Sequence, residues 1–354
     1  NGTTYTFGAG DGTLKANYKD NAITLPEAKK DGYTVDGWYN EEGERVGGEN
    51  DTYTPTGDET LHVEWKANTY IIVFNNNGGT GSMSNMNMTY DTPKNLTSNT
   101  FTRAGYNFFG WSTNKDATTQ TYTNGQSVNN LTTENGGTVT LYALWRKTIT
   151  VTYNADGGSG APTVSTGTMY NAQTSVEITL STTKPTKSGY TFNGWTATQG
   201  STQVDYQPGG TYSFSNNTTI YAVWGVNNYT LTVKPNGGKW NNTTNDSTVP
   251  GDYGTTTTIA DPIPPAGYTI TLNANTGNVT PASVTSTKSF DKWTKSGAGT
   301  FSGTTYTFGA GDGTLIASYT NNEVTLPTPT KTGYHCTGWY TASSGGTKRA
   351  DAGG

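Results

Sequence analysis

A chain of 354 residues with 31% hydrophobic content is too long for one small core, and 13% charged residues with a net charge of −5 do not fit a disordered tail, which needs few aromatics and high net charge. The mild acidity offers no basic face to nucleic acid, the single cysteine no intrachain disulfide, and no run approaches the ~18 apolar residues of a membrane span. With 12% aromatics beside abundant Thr, Asn and Gly, the composition predicts strands and turns closed around large rings, with little helix.

The chain begins without an initiator Met or signal peptide, in the middle of a repeating unit. Gly2 to Tyr18 aligns with Gly303 to Tyr319 at a constant offset of 301 residues and differs only at Lys15/Ile316 and Asn17/Ser318. The alignment continues more loosely through Thr24-Leu25-Pro26 against Thr325-Leu326-Pro327 and Gly37-Trp38-Tyr39 against Gly338-Trp339-Tyr340. The chain therefore reads as a window of slightly more than one super-repeat, cut from a longer array.

Closing strands mark the ends of units. Thr138 to Trp145, Thr219 to Trp224, Thr60 to Trp65 and Thr314 to Tyr319 are copies of one pattern. Period-2 alternation puts Leu141/Ala143/Trp145, Ile220/Ala222/Trp224, Leu61/Val63/Trp65, Leu14/Ala16/Tyr18 and Leu315/Ala317/Tyr319 on one apolar face, while the reverse face drifts. Opening strands precede Asn/Asp-Gly turns at Tyr70 to Phe74, Ile149 to Tyr153 and Tyr229 to Val233. These landmarks predict the end of a truncated module over 1–18, a short module over 19–66, modules over 67–146 and 147–225, a long module over 226–320 and the start of a truncated module over 321–354. The short module lacks an opening strand, lies near the ~40-residue limit for a chain without staples, and is expected to lean on its neighbour. The long one carries an extra hairpin between Thr269 and Ser289, with a turn at Asn275-Thr276-Gly277. One short helical turn is expected at Pro26 to Lys30, before Gly32.

Between opening and closing strands lies the centre of each copy: Gly32-Tyr33-Thr34-Val35-Asp36-Gly37-Trp38, Gly105 to Trp111, Gly189 to Trp195, Gly333 to Trp339, and a broken copy ending Phe290-Asp291-Lys292-Trp293. The glycine before Tyr is expected to supply a positive φ, and the glycine beside Trp to leave room for a bulge. Trp of the centre and the ring of the closing strand together predict a small aromatic core.

Pro185 to Trp195 with Thr219 to Trp224 closely resembles the Listeria–Bacteroides repeat family, which is related to the B-repeat of internalin-type surface proteins. The departures are the missing opening strand of the first full copy and the interrupted centre of the last. The resemblance implies a mainly β fold, an elongated array of tandem small β-grasp-like modules on secreted, surface-anchored proteins, with a stalk or adhesin role and no catalytic residues.

Sharper readings are weaker. His62 and His335 lie in different copies, and Cys336 stands where Val35 does, so a Cys–His nucleophile pair is not expected. Gly8 to Gly12 and Gly309 to Gly313 are followed by strand, not by the helix of a phosphate loop. Asp11, Asp156 and Asp312 lack the alternating oxygen ligands of a calcium loop. Lys184, Lys187 and Lys331 are weighed as isopeptide donors, and Asn-x-Thr sequons such as Asn95-Leu96-Thr97 follow from composition. Trp240 alone is off pattern; exposed, it would be the best sugar or protein contact, and otherwise it is a lid on the adjacent hairpin. The expectation is a structural stalk or fibre body of a long extracellular, cell-surface adhesin-like protein, not an enzyme, with no catalytic, cofactor or metal site. Its expected partners are neighbouring modules and self-assembly into fibres, with no nucleic acid. The alternative is a module binding host glycan or protein.

Overall fold

The computed structural model describes residues 21–351. The expectations for the strand ending at Tyr18, the Gly8 to Gly12 turn and Asp11 lie outside them. Among the described residues there is no helix, and the strands form many small sheets, a mainly β array of small units. The chain divides into two compact units, one built from Asn1–Ile149, Thr166–Glu177 and Ser213–Asn216, the other from Thr150–Ser165, Ile178–Tyr212 and Asn217–Gly354.

In the first unit, the opening strand Thr69–Asn75 runs parallel to the start of the strand Thr138–Asn154, pairing Ile71 with Thr138 and Phe74 with Leu141. The other edge of that strand takes the centre strand Asn107–Ser112 antiparallel. Met86–Thr89 covers the outer edge of the opening strand. First and last strands are thus adjacent and parallel, the β-grasp arrangement, but the crossover between them holds strands and turns instead of a helix. Alternation delivers Tyr70, Ile72, Phe74, Leu141, Ala143 and Trp145 to one core around the fully buried Trp111. Phe74 and Phe108 pack on Trp111 at centroid distances of 4.9 and 5.1 Å. The first full copy, in the same unit, is a three-stranded antiparallel sheet of Tyr33–Tyr39 between Arg45–Gly47 and His62–Ala67.

The second unit repeats the plan twice. Residues 151–154 pair parallel with 218–221 of Thr218–Val226, whose other edge takes Tyr190–Thr196. Asn228–Lys234 pairs parallel with Gly313–Asn321, flanked on the far edge by Lys288–Gly297. The expected extra hairpin is present, with Thr269–Thr271 antiparallel to Ser283–Thr285.

The closing ring fastens each copy to its opening turn. Trp145 Nε1 donates to the Asn76 carbonyl at 2.8 Å and Trp224 Nε1 to Ala155 at 2.9 Å. Tyr319 reaches the equivalent Pro235 carbonyl through its hydroxyl at 2.6 Å, which explains why Tyr replaces Trp there. The centre Trp residues differ: Nε1 of Trp111, Trp195 and Trp293 is buried with no acceptor. In the copies lacking a complete sheet, Trp38 and Trp339 instead donate to the Pro26 and Pro327 carbonyls.

The two glycine roles are as expected. Gly32 and Gly189 hold φ of 76° and 80° before Tyr. The ladders shift register between Val35 and Gly37 and between Phe192 and Gly194, a bulge beside Trp. One expectation is corrected and one open alternative is decided. Pro26 to Lys30 forms no helical turn, because the Pro26 carbonyl is taken by Trp38 and the Ala28 amide by Glu49 Oε1, which pins the segment extended. Trp240 is not a surface platform: it is 6% exposed, packs in the core with Leu231, Val233 and Ile259, and donates Nε1 to the Ala260 carbonyl at 3.0 Å. It is the lid of its hairpin. The reverse face of the closing strand is also buried at Leu144 and Val223, where the copies carry apolar residues.

Candidate functional site: the joints between copies

Three residues beyond three of the closing aromatics, Trp65, Trp224 and Tyr319, the sequence places Asn68, Asn227 and Asn322. Four residues before the centre Trp of the same copies it places a hydroxyl, Thr34, Thr191 and Ser289. The fold brings the two together, because the closing strand runs antiparallel to the centre strand and its end passes the start of that strand. Asn68 N donates to the Gly32 carbonyl, Asn227 N to Gly189 and Asn322 N to Thr287, each at 2.9 Å. The hydroxyls close the clasp from the side. Thr34 donates to Asn68 Oδ1, Thr191 to Asn227 Oδ1 at 2.5 Å and Ser289 to Asn322 Oδ1 at 2.9 Å.

At two joints the same Asn reaches into the next copy. Its carbonyl accepts the amide of Tyr90 or Tyr253, each at 2.9 Å. Those rings then pack edge-on against Tyr33 and Tyr190, both at 5.7 Å with interplanar angles of 71° and 72°. They also lie over the backbone of Gly32 and Gly189, where an added Cβ would come within 2.3 and 2.2 Å of the ring. One geometry, built from corresponding positions of two copies, is thus used twice. Asn68 is buried and its Nδ2 donates to the Thr133 carbonyl at 2.8 Å.

The joint after Trp145 is built differently. Here the polar pair is exchanged, with Asn107 at the hydroxyl position and Thr148 at the Asn position. Asn171 substitutes: its Oδ1 accepts the Trp145 amide, its own amide donates to the Trp145 carbonyl, and Nδ2 donates to the Ala117 carbonyl. Tyr170 packs on Phe109 at 5.6 Å, and Gly105 faces open space.

The first joint has one titrating lock. Tyr33 Oη donates to Asp91 Oδ2 at 2.6 Å, and Asn130 Nδ2 donates to Asp91 Oδ1 at 2.6 Å. The Tyr33 bond, then that from Asn130, holds the Asp91 carboxyl below its ordinary value, and the same bond to Asp91 raises the Tyr33 phenol. A depressed acid contributes stability that is present above its ordinary value and lost as pH falls through the lowered one. A raised phenol contributes stability present below its ordinary value and lost as pH rises through the raised one. The first joint should therefore loosen at both extremes. The protection of the Asn68 and Tyr90 amides, taken relative to the intrinsic exchange rate at each pH, is expected to fall on acidification in the wild type and to lose this acid dependence in Asp91→Asn; an unchanged acid dependence in the variant would refute the lock.

A basic residue caps each Gly-Tyr turn. Lys30, Arg103, Lys187 and Lys331 sit 3.8, 4.1, 4.7 and 4.6 Å from the centroids of Tyr33, Tyr106, Tyr190 and Tyr334. Lys187 also donates to the Asp156 carbonyl at 3.2 Å and Lys331 to Thr276 Oγ1 at 2.8 Å, so these two lysines tie turns together. The remaining candidates stay apart. His62 is exposed beside Glu64, His335 is exposed, and Cys336 is half-buried with Sγ 3.7 Å from the Gly338 carbonyl. Asp156 sits in a positive-φ turn and Asp312 Oδ1 accepts the Thr230 amide. Among the described residues no three His, Cys, Asp or Glu side chains form a metal-binding group, and no helix is long and apolar enough to cross a membrane.

Comparison with known proteins agrees with this repeated plan. The family model of the Listeria-Bacteroides repeat domain matches residues 1–62, 70–144, 150–223 and 305–353. A protein of Evansella cellulosilytica named "Putative Gly-rich membrane protein" is 29% identical over 250 residues, 66% of this chain and 26% of that protein. Another from the same organism, named "Putative membrane protein", is 29% identical over 214 residues, 58% of this chain and 27% of that protein. The chain thus spans about a quarter of the length of each relative. With four matches that cover most of its length, the chain belongs to the Listeria-Bacteroides repeat family.

Proposed function

We propose that this chain is a structural, non-catalytic repeat region, a stalk or fibre body, of a long cell-surface protein. The observation that carries the reading is the joint. Polar side chains that a binding or catalytic site would turn toward a ligand are spent instead on fastening one copy to the next, in the same geometry at Asn68 and Asn227. Relatives named as membrane proteins support a cell-envelope setting, and the repeat family supports a surface role. The alternative, a module binding glycan or protein, loses its best residue with the burial of Trp240. Small-angle scattering is expected to give a rod one copy wide, whose length grows in proportion when a second super-repeat is added. A compact particle, or hydrolase activity in the isolated chain, would overturn the reading.

A further inference from the structure

The hairpin that interrupts the fourth centre copies the opening hairpins of the other repeats. Asn273 Oδ1 accepts the Asn275 amide at 2.9 Å, as Asn75 accepts Asn77 and Asn154 accepts Asp156, both at 2.8 Å. Asn275 and Thr276 take positive φ of 48° and 74°, as do Asn77 with Gly78 and Asp156 with Gly157. The next residue is glycine each time, and a Cβ there would meet a carbonyl at 2.7 Å: Thr102 for Gly79, Thr186 for Gly158 and Thr330 for Gly277. The following residue bridges that same carbonyl's residue, Thr80 to Thr102, Ser159 to Thr186 and Asn278 to Thr330. Thr330 belongs to the last copy, not to the fourth. The hairpin sits in the interior of one repeat and performs the opening role for the next.

The first full copy, residues 19–66, is the 301-residue counterpart of that last copy and lacks what the hairpin gives. Its closing strand pairs on one edge only, with Tyr33–Tyr39, whereas the other closing strands carry a parallel opening strand on the second edge. Among the described residues the Trp65 indole N–H has no acceptor, where Trp145 and Trp224 donate to opening turns. Leu61, Val63 and Trp65 are half-buried, while Leu141, Ala143 and Trp145 are closed over. Among the described residues Lys29, the counterpart of Thr330, forms no bridge. The hairpin is the reciprocal case: among the described residues Thr269–Thr271 pairs on one edge only, with Ser283–Thr285, and Tyr268 and Ile270, which correspond to the buried Tyr70 and Ile72, are 66% and 46% exposed.

We propose that the repeats interlock by strand donation. The edge at Glu59 to His62 is a docking site for a second copy of the Tyr268–Thr285 hairpin, carried one super-repeat earlier on the same polypeptide. The register shared by the complete copies sets Leu272 beside Leu61 and Ile270 beside Glu59, and brings the Ala274 carbonyl to the Trp65 indole. Each super-repeat boundary is then crossed by chain that leaves one repeat, completes the next and returns.

The test extends the full chain by residues 267–301 ahead of Asn1, which continues the super-repeat in register. Amide exchange at Thr60, Leu61 and His62 is expected to slow at least tenfold, and the Trp65 indole proton to become protected. The same extension carrying Gly277→Val in the added copy should lose both effects. In the unextended chain, Gly277→Val should expose Asn278 and Thr330 to exchange while leaving Leu231 and Leu315 protected. Unchanged exchange at Thr60 to His62 in the extended chain would overturn the docking site. Concentration-dependent association of the unextended chain that protects those amides would overturn the same-chain source in favour of a second molecule. Loss of protection at Leu231 with Gly277→Val would show that the hairpin belongs to the fourth repeat and overturn the nesting.

Discussion

Trp195→Ala is expected to unfold the third repeat. The indole is 0% exposed and meets Tyr153 and Phe192 edge-on, both at 5.0 Å, so truncation removes the hub of a core that has few aliphatic side chains to collapse into the space. Such truncations cost about 3–5 kcal/mol, against a whole-domain stability of roughly 5–15 kcal/mol. Urea denaturation should show a separate early transition, and amide exchange should assign it to residues around Ile220 and Ala222. Trp38→Ala is the matched contrast. Trp38 is only half-buried in an incomplete sheet, and its loss should cost less than half as much. Equal costs at the two positions would contradict the view that the centre Trp gains its weight from the opening strand packed over it.

The second large effect lies at a joint. Gly189→Val adds a Cβ within 2.2 Å of the Tyr253 ring at a residue with φ of 80°. The left-handed backbone costs a substituted residue roughly 1–2 kcal/mol, and the overpacking about 1–3 kcal/mol more. Gly105→Val separates the two. Gly105 occupies the same place in its motif with φ of 75°, but no atom lies within 4 Å of the added Cβ. Its cost should stay at the backbone part alone. Calorimetry of both variants, with exchange at Asn227 and Tyr253, measures the difference; indistinguishable variants would mean that the Tyr253 ring does not load the joint.

Much of the fold was legible because the chain carries its own comparison set. The buried face of the closing strand and the bulge beside Trp could be read by setting copies against each other, since a physical constraint survives copying and a solvent-facing residue does not need to. The joints were not legible in the same way. Asn68, Asn227 and Asn322 recur at a fixed distance from the closing ring, but in a chain this rich in Asn each reads as another turn residue. Only the pairing with Thr34, Thr191 and Ser289 across two strands distinguishes them. Trp240 stayed open between lid and surface contact because a residue outside the repeat has no copies from which burial can be inferred, and its burial decides for the lid. The hairpin at Tyr268 was recognised, but its partner at Thr330 lies beyond the rest of the interrupted centre and a whole closing strand.

The parallel pairing of first and last strands has a mechanical consequence. When a chain of such repeats is pulled from its ends, tension enters a repeat through the start of its opening strand and leaves through the end of its closing strand. In a parallel pair those two points lie at opposite ends of one ladder, so the load falls on the Leu231 to Lys234 bonds against Gly313 to Ile316 together, in shear. An antiparallel pair held at the same end would open one bond after another, like a zip. The Tyr319 tether to Pro235 crosses this seam at its far end, as the Trp145 and Trp224 tethers cross theirs. The topology therefore resists stretching along the chain from end to end, with rupture expected as one abrupt event per complete repeat.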